Sequence, residues 1–120
     1  PDLPVVALMG DGGFLMMAGE LATAQRLNLN IVFVVIYDNS LSLISIKQTK
    51  KHFDNGYGTD LNVLSEEPTN HYFGVPVVRA TNNDEYKIAL ENAFASDGPL
   101  VIEAVVSSDE YDELVLQPNK

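Results

Sequence analysis

Two short, continuous apolar segments near the start of the chain constrain its fold more than any other feature. Residues 5–9 and Ile31–Tyr37 contain no charged side chain, which predicts strands that are buried on both faces, as in parallel sheets. Between them, from residue 14 to about residue 27, apolar side chains recur at steps of three and four, which predicts a largely buried helix. Strand, helix and strand in this order form a βαβ unit with a right-handed crossover.

The remainder of the chain continues this alternation. Val75–Ala80 and residues 100–106 are predicted strands, and a helix that begins at residues 81–83 lies between them. Residues 41–48 fit either a helix or an extended segment, whereas residues 51–68 are rich in Asp, Asn, Gly and Glu and are predicted to be mostly loop. Alternating strands and helices predict an α/β fold, with an open, mainly parallel sheet and helices on both faces.

Length, charge and cysteine content exclude several classes. The 120 residues correspond to one domain, residues 1–120, and 17 acids against 7 bases give a formal charge of −10. This charge argues against binding to nucleic acid or to an anionic membrane. Ile31–Tyr37 is the longest apolar run and is far shorter than the roughly 20 residues of a membrane helix. With 0 cysteines there is no disulfide and no thiolate zinc site, and we expect a cytoplasmic protein.

Acidic residues follow both strands of the βαβ unit. Asp11 comes after the first strand and Asp38 after the second, and the carboxyl ends of parallel strands form the ligand-binding edge of such sheets. Two carboxylates with a backbone carbonyl and water suit Mg²⁺, which usually also binds a phosphate. The amides of Gly12 and Gly13 can approach an anion closely, at the positive end of the following helix. The pattern predicts a site for a metal ion and a diphosphate.

Two other kinds of site share part of this pattern. A dinucleotide-binding G-x-G-x-x-G motif would need glycine at the position of Leu15. A non-enzymatic phospho-receiver module also holds magnesium with carboxylates at strand ends and has a similar size. It requires a lysine after a late strand, where this chain has Ser107 and Ser108, and two adjacent acids after the first strand, where Asp11 has glycine neighbours. The receiver module is kept as the alternative.

The motifs together resemble a known family. The relevant stretches are Gly-Asp-Gly-Gly-Phe at 10–14, Glu-Leu-Ala-Thr-Ala at 20–24, Asp-Asn-Ser at 38–40, Tyr-Gly-Thr-Asp-Leu at 57–61 and Gly-Pro-Leu-Val-Ile-Glu at 98–103. This combination resembles the diphosphate-binding domain of thiamine-diphosphate enzymes, in particular the acetolactate synthase and 2-oxoacid decarboxylase group. The resemblance covers most of the chain and implies the thiamine-diphosphate-binding fold, truncated at its N-terminus.

The resemblance also implies individual roles. Asp11 and a second side chain would bind magnesium, together with a backbone carbonyl two residues further on. The implied cofactor-binding residues are Gly10, Asp11, Gly12, Gly13, Asp38 and Ser40, and the implied metal ligands are Asp11, Asp38 and the Ser40 carbonyl, or Asn39 and Leu41 in place of the last two if the register shifts by one residue.

The implied activity belongs to a longer enzyme. That enzyme would decarboxylate or carboligate small 2-oxoacids, as a lyase or transferase, with thiamine diphosphate and Mg²⁺ as cofactors. The resemblance places the carboxylate that activates the cofactor on another domain of a partner subunit, in a dimer or tetramer. We therefore expect no catalytic residue in these 120 residues, and an inactive chain when it is separated from the other domains.

Overall fold

The computed structural model describes residues 3–51, 57–61, 67–109 and 111. Much of the predicted loop at 51–68 lies outside these ranges. The strands are β1 Val5–Gly10, β2 Ile31–Tyr37, β3 His71–Tyr72, β4 Val75–Ala80 and β5 Leu100–Val105, and the helices are α1 Asp11–Met17, α2 Glu20–Arg26, α3 Ser42–Lys50 and α4 Asn83–Ala95.

The five strands of the described ranges form one sheet in the order β1-β2-β5-β4-β3. The pairs β1–β2, β2–β5 and β5–β4 are parallel, and only the short β3 runs antiparallel to its neighbour β4. In the first pair, Val5 lies opposite Ile31 and Gly10 opposite Ile36. The predicted mainly parallel α/β sheet is confirmed. Because β1 and β2 are direct neighbours, the residues that follow them lie side by side at one edge.

Apolar side chains cover the two faces of the sheet separately. On one face, the buried cluster joins α1 and α2 to the sheet and consists of Phe14, Leu21, Ala24, Phe33, Val35, Val75 and Val101. On the other face, α4 packs against a cluster of Val32, Val34, Ala80, Ala89, Ala93 and Ile102. Alternation along β2 and β5 sends successive side chains to opposite faces. This explains why both strands are almost wholly apolar.

The single helix predicted for residues 14–27 is wrong in its continuity. The structure has two helices, α1 and α2, separated by Ala18 and Gly19. The carbonyls of these two residues accept hydrogen bonds from Leu21 and Ala22, at 3.1 and 3.2 Å, with three-residue spacing. This tighter turn interrupts the four-residue ladder, at a position where glycine lowers helix propensity. The first helix also begins earlier than expected, at Asp11.

The expectation that β1 is buried on both faces is also wrong. This strand lies at the end of the described sheet, with Val6 47% and Leu8 67% exposed. The alternate residues Ala7 and Met9 pack against the α1 and α2 cluster, whereas α4 packs over β2, β4 and β5 on the opposite face. The apolar sequence of β1 therefore leaves an exposed apolar strip at the sheet edge.

The remaining helices agree with the sequence. Residues Ser42–Lys50 form α3, which decides between the two structures that the pattern allowed. At the start of α4, the Asn82 side chain accepts a hydrogen bond from the Glu85 amide at 2.9 Å, and the Glu85 carboxylate accepts one from the Thr81 amide at 2.8 Å. The first bond satisfies a free amide of the first helical turn, and the second ties the residue before the N-cap to that turn. No helix within the described ranges is long and apolar enough to cross a bilayer.

One buried ionic network lies inside the sheet. Glu103 of β5 is 1% exposed, and its carboxylate accepts hydrogen bonds from the Tyr72 hydroxyl at 2.6 Å and from the Arg79 Nε at 2.7 Å. The Arg79 guanidinium also lies 5.0 Å from the centre of the Tyr37 ring. Burial, reinforced by the bond to Glu103, raises the pKa of Tyr72. The network joins β3, β4, β5 and the end of β2.

Removing the Arg79 guanidinium should lower the stability of the fold, because the Glu103 carboxylate would stay buried without a compensating positive charge. We expect Arg79→Met to lower the free energy of unfolding by about 3 kcal/mol. Glu103→Gln should cost less, since the amide keeps one acceptor and the Arg79 side chain, 13% exposed against 1% for Glu103, stays in partial contact with water. Urea unfolding of the purified chain measures both, with Lys87→Met on the exposed face of α4 as the control. An Arg79→Met variant as stable as that control would show that the buried pair is not needed.

Candidate functional site

The Asp11 carboxylate joins the two strands of the βαβ unit. It is 4% exposed and accepts hydrogen bonds from three backbone amides: Gly12 at 2.7 Å, Asp38 at 3.2 Å and Asn39 at 2.7 Å. One amide belongs to its own helix and two belong to the end of β2. The side chain thus fixes the distance between the two chain segments that the sequence predicted to form the site.

The Asp38 carboxylate organises the beginning of α3. It accepts a hydrogen bond from the Ser40 amide at 3.1 Å and one from the Ser42 hydroxyl at 2.5 Å. Asp38 and Asp11 interact electrostatically, and the charge on Asp38 is one of the causes of the raised pKa of Asp11. The larger cause is burial, which the amide of Gly12 partly opposes. The site therefore concentrates negative charge that a cation would stabilise.

The two carboxylates retain capacity for a metal ion. A carboxylate offers about four acceptor positions. In the described part of the chain, Asp11 uses three of these and Asp38 uses two. The same residues include no group of three or more His, Cys, Asp or Glu side chains that could hold a metal. A metal here would need backbone oxygens or water in addition, as hard cations such as Mg²⁺ accept.

The two possible sets of metal ligands beside Asp11, Asp38 with Ser40 or Asn39 with Leu41, have different surroundings. Asn39 has a φ of +60°, and its side-chain oxygen is buried without a hydrogen-bond partner in the described residues. The Leu41 carbonyl accepts bonds from the Ile44 and Ser45 amides at 2.8 and 3.0 Å, within the first turn of α3. Both of its lone pairs are therefore used. Asp38 and Ser40 line a cavity beside Asp11, together with the side chain of Leu41.

The glycines of the motif have different surroundings. A Cβ atom on Gly12 would lie 2.6 Å from the Cδ2 of Leu41, whereas one on Gly13 would lie 3.9 Å from the Met9 Cβ, an ordinary contact. At Gly10 there is nothing within 4 Å. The Gly12 amide already donates to Asp11, and the first amides of a helix have no acceptor within the helix. Within the described part of the chain, the Gly13 amide has no hydrogen-bond acceptor and is free to bind an anion.

One residue at this site was missed by sequence reasoning. The cavity beside the two carboxylates has a volume of about 210 Å³, and its lining includes Tyr111 as well as Gly10, Asp11, Asp38, Ser40 and Leu41. Tyr111 lies far along the chain, in a stretch rich in acidic residues. No pattern of residue types or spacing marks it, because only the return of the chain after β5 brings it to this edge.

The chain matches a family model over most of its length. Residues 1–104 match the thiamine pyrophosphate enzyme family, C-terminal TPP binding domain. Among curated proteins, the chain is 31% identical over 120 residues to an acetolactate synthase of Bacillus subtilis, covering 100% of this chain and 20% of that protein. It is 30% identical over 102 residues to a catabolic acetolactate synthase of Raoultella terrigena, covering 85% of this chain and 18% of that protein.

Solved structures support the same fold. The crystal structure of benzoylformate decarboxylase from Polynucleobacter necessarius superposes with a TM-score of 0.77 at 25% identity, over 88% of this chain and 20% of that one. The chain thus spans about a fifth of the length of the proteins it matches. These findings do not support a receiver module, and thiamine pyrophosphate, the expected cofactor, is the one for which the family is named. The chain belongs to the thiamine pyrophosphate enzyme family, as a C-terminal TPP binding domain.

Proposed function

We propose that this chain anchors Mg²⁺ and the diphosphate of thiamine diphosphate in a longer enzyme that decarboxylates or carboligates small 2-oxoacids. The observation that carries the proposal is the pairing of Asp11 and Asp38 at the ends of two neighbouring parallel strands in a chain of this family. Similarity to acetolactate synthases and to a benzoylformate decarboxylase supports the reaction class. We further propose that the enzyme is cytoplasmic and homo-oligomeric, and acts with its remaining domains.

The proposed metal ligands are the Asp11 and Asp38 carboxylates and the Ser40 carbonyl. Each carboxylate has unused acceptor positions, and both line the same cavity with Ser40. The alternative register is less suitable, because the Leu41 carbonyl already serves two amides of α3. One feature favours this alternative register: the side-chain oxygen of Asn39 is buried and has no hydrogen-bond partner in the described residues. A metal ion would also reduce the repulsion between the two carboxylates.

The proposed diphosphate contact is the free amide of Gly13, with Gly10 and Gly12 leaving the backbone accessible. Because α1 has only seven residues, its dipole contributes less than that of the longer helix expected, and the metal must offset more of the anion's charge. Thiamine diphosphate supplies the electron sink for 2-oxoacid chemistry when bound. The residues of this chain hold the cofactor and the metal, and we assign none of them to proton transfer.

Replacing either carboxylate should weaken cofactor binding. We expect Asp11→Asn and Asp38→Asn each to lower the affinity for thiamine diphosphate in the presence of Mg²⁺ by about 10-fold or more, since each removes a charged metal ligand. Calorimetric titration measures the affinity, and circular dichroism checks that the variants fold. Asp97→Asn is the matched control, because this aspartate is exposed and lies at the opposite edge of the sheet.

An Asn39→Ala variant distinguishes the two registers. If it reduces the affinity while Asp38→Asn binds as the parent does, then the register of the metal ligands is shifted by one residue. Unchanged affinity in both aspartate variants would contradict the proposed metal site itself.

The close contact between Gly12 and Leu41 gives a second test. Gly12→Ala requires the far end of the flexible Leu41 side chain to move, which we expect to cost less than about 1 kcal/mol relative to Gly13→Ala and to weaken cofactor binding. Adding Leu41→Ala should restore most of both losses. Urea unfolding and calorimetry measure them. If Leu41→Ala leaves cofactor binding impaired, the new methyl group instead occupies the space of the diphosphate.

The isolated chain should be catalytically silent and prone to self-association. We expect no release of carbon dioxide from pyruvate with Mg²⁺ and thiamine diphosphate, because the activating carboxylate is proposed to lie on another domain. Exposed Val6 and Leu8 on β1 should promote association, and Leu8→Lys should reduce it in sedimentation experiments. Turnover of about 1 per second or more would overturn the assignment of this chain as an anchoring domain, and a strictly monomeric chain would overturn the role of the β1 strip.

A further inference from the structure

Tyr111 lines the same cavity as the proposed metal ligands Asp11, Asp38 and Ser40. Beyond β5, the Val106 amide still donates to the Tyr37 carbonyl at 3.0 Å, so the chain stays beside the end of β2. The Tyr111 amide then donates to the Ser108 carbonyl at 3.1 Å and closes a turn. This turn brings Tyr111 back over the residues that follow β2.

The side-chain donors that line the cavity are nearly all engaged. The Ser42 hydroxyl donates to the Asp38 carboxylate, and the Ser40 hydroxyl donates to the Thr59 carbonyl at 3.4 Å. The other described lining residues are glycine, apolar residues and the two aspartates. Among the described residues of this cavity, the Tyr111 phenol is therefore the side-chain donor that remains available.

The electrostatic surroundings keep this phenol protonated. Burial raises the pKa of Tyr111, and the negative charges of Asp38 and Asp11 raise it further. The influence of both carboxylates agrees with the position of the phenol beside the cavity that they line. A neutral hydroxyl can donate a hydrogen bond to an anion there without adding charge to the site.

We propose that Tyr111 is a cofactor-binding residue whose hydroxyl donates a hydrogen bond to a diphosphate oxygen and whose ring covers one side of the cavity. This inference rests on the proposed function, since the anion is the diphosphate of thiamine diphosphate held with Mg²⁺. A divalent metal balances the negative charges of the two aspartates but leaves the negative charge of the diphosphate largely uncompensated. A neutral donor that lines the same cavity supplies part of the missing interaction.

The test compares Tyr111→Phe, Tyr111→Ala and the control Tyr57→Phe, whose residue is 87% exposed. The full chain is titrated by calorimetry with thiamine diphosphate, with inorganic diphosphate and with thiamine, each in the presence of Mg²⁺. We expect Tyr111→Phe to lower the affinity for both diphosphates by about 10-fold and to leave thiamine binding unchanged. Tyr111→Ala should be at least as severe, and Tyr57→Phe should match the parent.

Equal binding of diphosphates by the parent chain and Tyr111→Phe would overturn the donor role of Tyr111 and leave the proposed function standing. Failure of the parent chain itself to bind thiamine diphosphate with Mg²⁺ would overturn the proposed function, and this inference with it. If the Tyr111 variants lose affinity for thiamine as much as for the diphosphates, then Tyr111 does not act through the diphosphate group, and this result would also overturn the inference.

Discussion

The geometry of the site depends on one buried carboxylate. Asp11 binds one amide of its own helix and two amides that follow β2, so a single side chain sets the relation between both halves of the βαβ unit. These three bonds use most of the acceptor positions of the carboxylate, so few directions remain from which a ligand could approach it. The interaction that holds the loops together thereby also limits how this carboxylate could contact the proposed metal ion. The same group would then serve both the structure at the ends of β1 and β2 and the proposed metal site.

The parts of the fold that follow from local pattern could be predicted from the sequence. Continuous apolar runs identified β2 and β5, and the polar start of α4 identified a capped helix. The position of Asp11 and Asp38 at one sheet edge followed from strand order alone, because parallel neighbours end on the same side. That inference needs only the direction of the strands and the order in which they are connected, and both follow from the alternation of predicted strands and helices.

The parts that depend on packing between distant segments could not be predicted. An apolar strand looks the same in sequence whether it lies in the middle of a sheet or at its edge, so the exposure of Leu8 carried no signal. The contact of Leu41 with Gly12 depends on how α3 leaves β2, and the sequence only showed that a glycine was present. Tyr111 reaches the site through a turn after β5, and its residue type alone does not distinguish a wall of the cavity from a solvated tail.

Charge links the stability of this domain to what it binds. The chain carries a formal charge of −10, and burial raises the pKa of Asp11 because its charged form is poorly solvated. A group with a raised pKa stabilises the fold at low pH and loses that contribution as pH rises through the shifted pKa. The ionised form of Asp11 is therefore less favourable to folding than its protonated form, and a cation beside it would remove part of that cost. A ligand that binds only the folded state stabilises the domain in proportion to the logarithm of one plus its concentration over its Kd, so the proposed cation would add to the stability of the fold.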